Sequence, residues 1–122
     1  VKRSAPSDSP LPPCPDSPNC ERTARPYPVD APTLFAAAQR ALDALGPVEL
    51  QVQPEARRAA AVYRVAFVFK DDVDVAVEST DDESTLHVRS ASRVGHSDLG
   101  VNRRRVDRFF RAVDEALDAR SD

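Results

Sequence analysis

The sequence predicts a two-layer α+β domain in the order α-β-β-β-β-α, a four-stranded antiparallel meander with two helices packed on one face. Three observations predict it. Two stretches repeat apolar residues at three- and four-residue steps, and four stretches between them alternate with period two. The whole chain of 122 residues is also short enough to be organised around one core.

The first helix opens at Pro32 and Thr33, and Leu34, Phe35, Ala38, Leu42 and Leu45 recur along one face. Gly46-Pro47 stops it, because Gly suits a left-handed cap and Pro cannot continue a helix. Val48, Leu50 and Val52 then alternate with Glu49 and Gln51. A second strand is expected from Ala61 to Lys70, where Ala61, Tyr63, Val65, Phe67 and Phe69 share a face, with a turn at Asp71. Val73, Val75 and Val77 form the third strand, and Leu86, Val88 and Ser90 the fourth, beyond the polar stretch Ser79 to Ser84. Side chains two apart share a face, so one face of this meander is apolar and the other wet, with His87 expected on the wet one. The last helix is expected from about Asn102 to Ala119, with Val106, Phe109, Phe110, Val113 and Leu117 as its apolar stripe. Both helical stripes need covering, and the apolar face of the strands is the available partner.

Residues 1–31 read differently. They hold eight of the eleven prolines, and proline removes a backbone donor and fixes φ, so this stretch is neither helix nor central strand. It reads as a Pro-rich tether ahead of a single α+β domain at 32–120, or as a strap along that domain with Tyr27 as an apolar handhold. Within it, Cys14 and Cys20 flank Pro15-Asp16-Ser17-Pro18-Asn19. A disulfide closing this loop is the foremost expectation, since its prolines can bring the ends together. Free thiols are the main alternative. A metal site is weaker, because the two histidines are far away in sequence, and a redox pair weaker still, because the spacing is not Cys-x-x-Cys. A disulfide implies an oxidising compartment. The chain starts at Val1 and contains no Met, so a signal peptide, lipid anchor, membrane span or artificial boundary is expected upstream.

Composition excludes some function classes. A formal net charge of −3 argues against a general nucleic-acid binder. No run approaches the roughly 20 apolar residues that cross a bilayer as a helix. Sequence motifs for a cofactor are lacking, as are a Gly-x-Ser-x-Gly elbow and a His-Glu-x-x-His zinc motif, so neither a cofactor nor a metal is expected, and no catalytic residue is assigned.

The loop from Arg89 to Arg105 carries the functional expectation. It contains two of the three glycines, one of the two histidines, and Arg103, Arg104 and Arg105 beside a helix start. Arg there opposes the helix dipole at a cost of a few tenths of a kcal/mol each, which makes sense if the charges meet an anion. Arg89, Arg93 and Arg103 would be anion contacts, Ser90 and Ser92 hydroxyl donors, His96 a further contact, and Asp98 and Asn102 organisers. The competing reading is an internal lock, with Arg89, Arg93 and Arg103 paired to Asp71, Asp72 and Asp98. A third is a small hydrolase that uses His96 as base with Asp98 and one of Ser90, Ser92 or Ser97.

The same residues resemble a known family. Cys14-Pro15-Asp16-Ser17-Pro18-Asn19-Cys20, Asp71-Asp72-Val73, and the run from Arg89-Ser90-Ala91-Ser92-Arg93-Val94-Gly95 through Asp98-Leu99-Gly100-Val101-Asn102-Arg103 are similar to a bacterial family known as domain of unknown function 1499. The resemblance extends from about Cys14 to the final helix. It implies Cys14, Asn19, Cys20, Asp72, Arg89, Ser90, Ser92, Arg93, Gly95, Asp98, Gly100, Asn102 and Arg103 as signature positions, an exported periplasmic or cell-envelope protein, and no particular activity. The chain departs from it at Glu21-Arg22, where members carry small polar residues, and at His96, where they often carry Tyr. The expectation is therefore an envelope-side binding or accessory domain, with a small anionic ligand or an envelope protein as partner.

Overall fold

The computed structural model describes residues 9–15, 19–66, 68–93 and 100–121. Among these, the elements run β1 (Cys20–Tyr27), α1 (Ala31–Ala44), β2 (Glu49–Gln53), β3 (Arg58–Val65), β4 (Phe69–Thr80), β5 (Glu83–Ser92) and α2 (Val101–Ser121). The strands form one antiparallel sheet in the order β1-β5-β4-β3-β2. The class is the expected α+β, but the sheet has five described strands where the sequence reading had four.

The additional strand, β1, comes from the Pro-rich segment. It lies at the sheet edge, where only one side of the backbone needs a partner. Pro26, which faces Thr85 in the register, is tolerated there because a missing amide on the solvent side breaks no ladder bond. A second correction concerns the turn between β3 and β4. The alternation runs on through Phe69, but the chain reverses at Ala66 (φ 55°), and Val65 pairs with Phe69 and Arg64 with Lys70. No Gly, Pro or Asn marks this hairpin, so periodicity alone carried the expected strand past it.

Helix α1 starts where its caps are supplied. The Asp30 carboxylate accepts from the Thr33 amide at 2.8 Å, and Pro32 occupies the first turn, where its missing donor costs nothing. At the other end Gly46 takes a left-handed φ of 76°, and its amide donates to the Asp43 carbonyl at 3.1 Å. Both helices cover the same sheet face. Leu34, Phe35 and Leu42 from α1 and Val106, Phe109, Phe110 and Val113 from α2 are buried against Tyr63, Val73, Val75, Leu86 and Val88. Phe109 and Phe110 meet edge to face, 5.5 Å between centroids. Polar tips within this core are paired: the Tyr63 hydroxyl donates to the Leu42 carbonyl at 2.6 Å, the Tyr27 hydroxyl to Asp114 at 3.0 Å, and the Ser84 hydroxyl to the Val29 carbonyl at 2.7 Å. Burial foremost pushes both tyrosines up to about 12.

The other sheet face carries the N-terminal strap. Leu11 is only 5% exposed. Arg58 donates to the Pro10 carbonyl and Arg22 to the Leu11 carbonyl, each at 2.7 Å, and the Cys14–Cys20 disulfide, with Cα atoms 5.7 Å apart, ties the strap to the start of β1. This corrects the expectation for His87. The ring does lie on the helix-free face, in the row Arg58, Ala76, His87, Ala24. Yet it is 1% exposed, because that face is crossed by the strap, and its Nε2 meets Glu78 Oε1 at 2.8 Å.

Candidate functional site

Period two splits the Arg89 to Ser92 run between the two faces of β5. Ser90 and Ser92 continue the inward row of Leu86 and Val88, and Arg89 and Ala91 point the other way. The inward pair meets the first turns of α2. There Asn102 and Arg105, three residues apart, share a helix face. Arg105 Nη1 donates to Asp71 Oδ2 at 2.7 Å, to Asn102 Oδ1 at 3.1 Å and to Ser90 Oγ at 3.3 Å. Its guanidinium also lies over the Tyr63 ring, 5.3 Å from the centroid. The Ser90 hydroxyl donates to Asn102 Oδ1 at 2.6 Å, and Asn102 Nδ2 donates to the Asn19 carbonyl and to Ser92 Oγ, both at 3.0 Å.

The orientation of the Asn102 amide follows from this arrangement. Arginine can only donate, so the atom facing it is the carbonyl oxygen. Both amide hydrogens and the oxygen are then engaged, and all of Asp71, Ser90, Asn102 and Arg105 are buried. The cluster joins β4, β5, α2 and the residue before the second cysteine. Its partners are all protein groups, so chemically it is an internal lock.

The helix-free face is different. Arg58, Arg89 and Arg93 share it with Glu49, Gln51, Asp72 and Asp74. Two adjoining hollows open on it, of about 270 and 380 Å³, and both are lined by Gln51, Ala60 and Asp74. The first is bounded by Leu11, Pro12 and Arg58, the second by Asp72, Arg89 and Arg93. Together they form a trough beside the strap. Arg93 grips Asp72 through Nε at 2.9 Å and Nη2 at 3.0 Å, and this bond, with the Asp72 charge, pushes the guanidinium further up. Arg89 is held far more loosely. Its Nη2 reaches only the Pro13 carbonyl, at 3.4 Å, and its Nε is buried with no partner. Asp74 faces Arg89 in the register. Burial, then the Asp72 charge, pushes the Asp74 carboxyl up, and Arg89 and Arg58 partly offset this.

The structure therefore divides the residues singled out in the sequence. Ser90, Ser92 and Asn102 come together inside the fold, while Arg89 and Arg93 come together in the trough. Arg103 is exposed on α2. His96 and Asp98, with Ser97, lie outside the described residues. Of the expected internal pairs, Arg93 with Asp72 is present, and Asp71 is taken by Arg105 instead. Among the described residues no group of three His, Cys, Asp or Glu is placed to hold a metal ion. Sequence reading named Asp71 as an arginine partner but not its pairing with Arg105, and it did not single out Arg105 or Arg58 as site residues. A signal for Asp71 existed: it falls in the same alternating row as Val73, Val75 and Val77, a carboxylate on the apolar face, which needs a buried partner.

The family model described as "Protein of unknown function (DUF1499)" matches residues 10–113. The chain belongs to this family. Its match takes in the strap, the disulfide, the trough and the buried lock of this DUF1499 chain. No curated protein matches it. Among solved structures, its fold is similar to that of Ara h 8.0201, with a TM-score of 0.57 and 12% identity over 81% of this chain and 97% of that one. A START superfamily protein from Mycobacterium smegmatis gives 0.52 at 9% identity, over 84% and 96%. The di-domain ARO/CYC BexL from the BE-7585A biosynthetic pathway gives 0.54 at 15% identity, and the DUF1499 chain spans 44% of its length. At these identities the likeness is one of fold.

Proposed function

We propose that this DUF1499 chain is an envelope-side binding domain whose trough takes a small anionic ligand. The observation that carries the reading is Arg89. Its guanidinium sits at the wall of an open hollow, with a buried Nε that no protein group accepts and a single long contact to a carbonyl. Every other described arginine donor that is buried has an acceptor. A carboxylate, phosphate or sulfate group in the trough would take the weakly engaged Nη end of Arg89, whose one contact is the exposed 3.4 Å bond to Pro13, because arginine's planar fork matches such anions. Asp74 beside it favours a ligand that also presents a hydrogen-bond donor. The Cys14–Cys20 disulfide supports an oxidising, exported setting.

A thermal melt with added sulfate or phosphate tests the reading. Wild type gains stability in proportion to occupancy, and Arg89→Gln does not. Equal anion responses in the two proteins would remove the trough from consideration.

A second reading, an internal lock, is favoured for the other half of the loop by its saturated hydrogen bonds, and the Arg93–Asp72 pair supports it as well. Ser90, Ser92 and Asn102 are engaged by Arg105, Asp71 and Asn19, so for them the motif's work is to hold α2 and the disulfide loop on the sheet.

A further inference from the structure

We propose that the β3–β4 hairpin tip is a membrane-contact device that docks this domain on an anionic lipid surface. Three large apolar residues are exposed among the described ones, and two of them, Val68 at 77% and Phe69 at 36%, stand at this tip, with the exposed Ala66 before them. Singly exposed apolar residues are ordinary, but an apolar tip ringed by cations is not. Arg64 and Lys70 face each other across the hairpin immediately behind the tip. The Arg93 amide donates to the Lys70 carbonyl at 3.0 Å, so the Arg93–Asp72 ion pair, which carries no net charge, lies at the same end. Arg103 and Arg104 add two more from the first turn of α2, which Arg105 draws to this end by its bond to Asp71. Of the acids at this end, Asp71 and Asp72 are paired with Arg105 and Arg93, and Glu49 on the edge strand, in one row with Val62 and Asp72, offsets one of the four remaining cations.

The opposite end of the sheet has the reverse charge. Between Asp71 and Val88 there is no Lys or Arg, and the β4–β5 hairpin carries Glu78, Asp81, Asp82 and Glu83, all exposed. The ends of β4, a strand of 12 residues, lie roughly 35 Å apart at about 3.3 Å per residue. The net charge of −3 thus hides a dipole. In front of an anionic bilayer it turns the apolar tip inward and the acidic hairpin away. Apolar side chains then enter the headgroup boundary while Arg and Lys heads stay at the phosphate level. A second copy of this chain fits the tip poorly, because two basic collars would face each other.

The test mixes the full chain with sedimentable vesicles of phosphatidylcholine alone, or of phosphatidylcholine and phosphatidylglycerol in equal parts. Binding is expected to the mixed vesicles and to fall with added salt. Val68→Ser with Phe69→Ser should weaken it on the order of tenfold, and Arg64→Gln about fivefold. Val68 is mostly in solvent, so the single Val68→Ser variant serves as a folded control and should show part of the loss. Absence of binding to mixed vesicles, or undiminished binding by the tip variants, would overturn the proposal. So would a concentration-dependent self-association abolished by the tip variants, or capture of an acidic protein in place of vesicles. Arg89→Gln should bind vesicles normally, which separates this surface from the trough.

Discussion

Arg89 and Ser90 are neighbours in the chain and belong to opposite sides of the sheet. The Ser90 hydroxyl is buried and donates to Asn102 Oδ1 at 2.6 Å, while Arg89 turns to the trough with its Nε buried and unpartnered. One motif therefore serves two environments, and substitutions in it should separate cleanly. Ser90→Ala removes a donor from a saturated cluster and should cost about 1–3 kcal/mol of stability, with the anion response of the melt intact. Arg89→Gln should do the reverse. Parallel urea and sulfate titrations of both variants would reveal it, and a shared phenotype would mean that the two faces act as one.

The Asp71–Arg105 pair should be the most sensitive point of the fold. Its side chains are 3% and 6% exposed, so removing one partner strands a charge in the core. Asp71→Asn should lower stability by about 3–5 kcal/mol. Asp71→Leu combined with Arg105→Met should recover part of that loss, since two apolar groups leave no buried charge behind. A double variant worse than either single would contradict this account.

Leu11 makes the strap part of the fold. Truncation to Ala should cost on the order of 2–5 kcal/mol, toward the lower end because the site lies at the protein's surface layer. Removing residues 1–8 keeps Leu11, the carbonyls of Pro10 and Leu11 and the disulfide, and should leave the melting temperature near that of the full chain. A Leu11→Ala protein that melts like wild type would show that residues 9–15 follow the sheet without stabilising it.

Asp74 gives a pH signature of definite sign. Its carboxyl is pushed up in the fold, by burial first and Asp72 second, so the folded protein holds the proton more tightly than the unfolded chain. The stability it contributes is complete below the unfolded value of about 3.9 and is lost as pH rises through the folded value. Asp74→Asn should abolish that loss, so the variant is the more stable protein at neutral pH, and the gap between the two closes on acidification. Chemical denaturation at a series of pH values measures it. An Asp74→Asn variant less stable than wild type at neutral pH, with the difference again vanishing in acid, would mean that Arg89 and Arg58, not burial, dominate the group.

Much of this was legible in the residues themselves. The periods of two and three to four identify both helices and the core rows, because a side chain's face depends only on local backbone geometry. The close Cys14–Cys20 spacing and the family signature likewise need no tertiary information. The β3–β4 turn escaped because Ala66 takes a left-handed φ with no turn residue to announce it, and β1 escaped because an edge strand tolerates the proline that reads as a breaker. Which residues face a ligand and which face each other was decided only by tertiary structure. Alternation says that Arg89 and Ser90 diverge, but not that α2 brings Arg105 and Asn102 to one side while the strap of residues 9–15 and β3 wall the other. Those contacts span up to 83 positions, as between Asn19 and Asn102. They arise because burying the helical stripes and pairing nearly all buried polar groups admits few ways to close the chain.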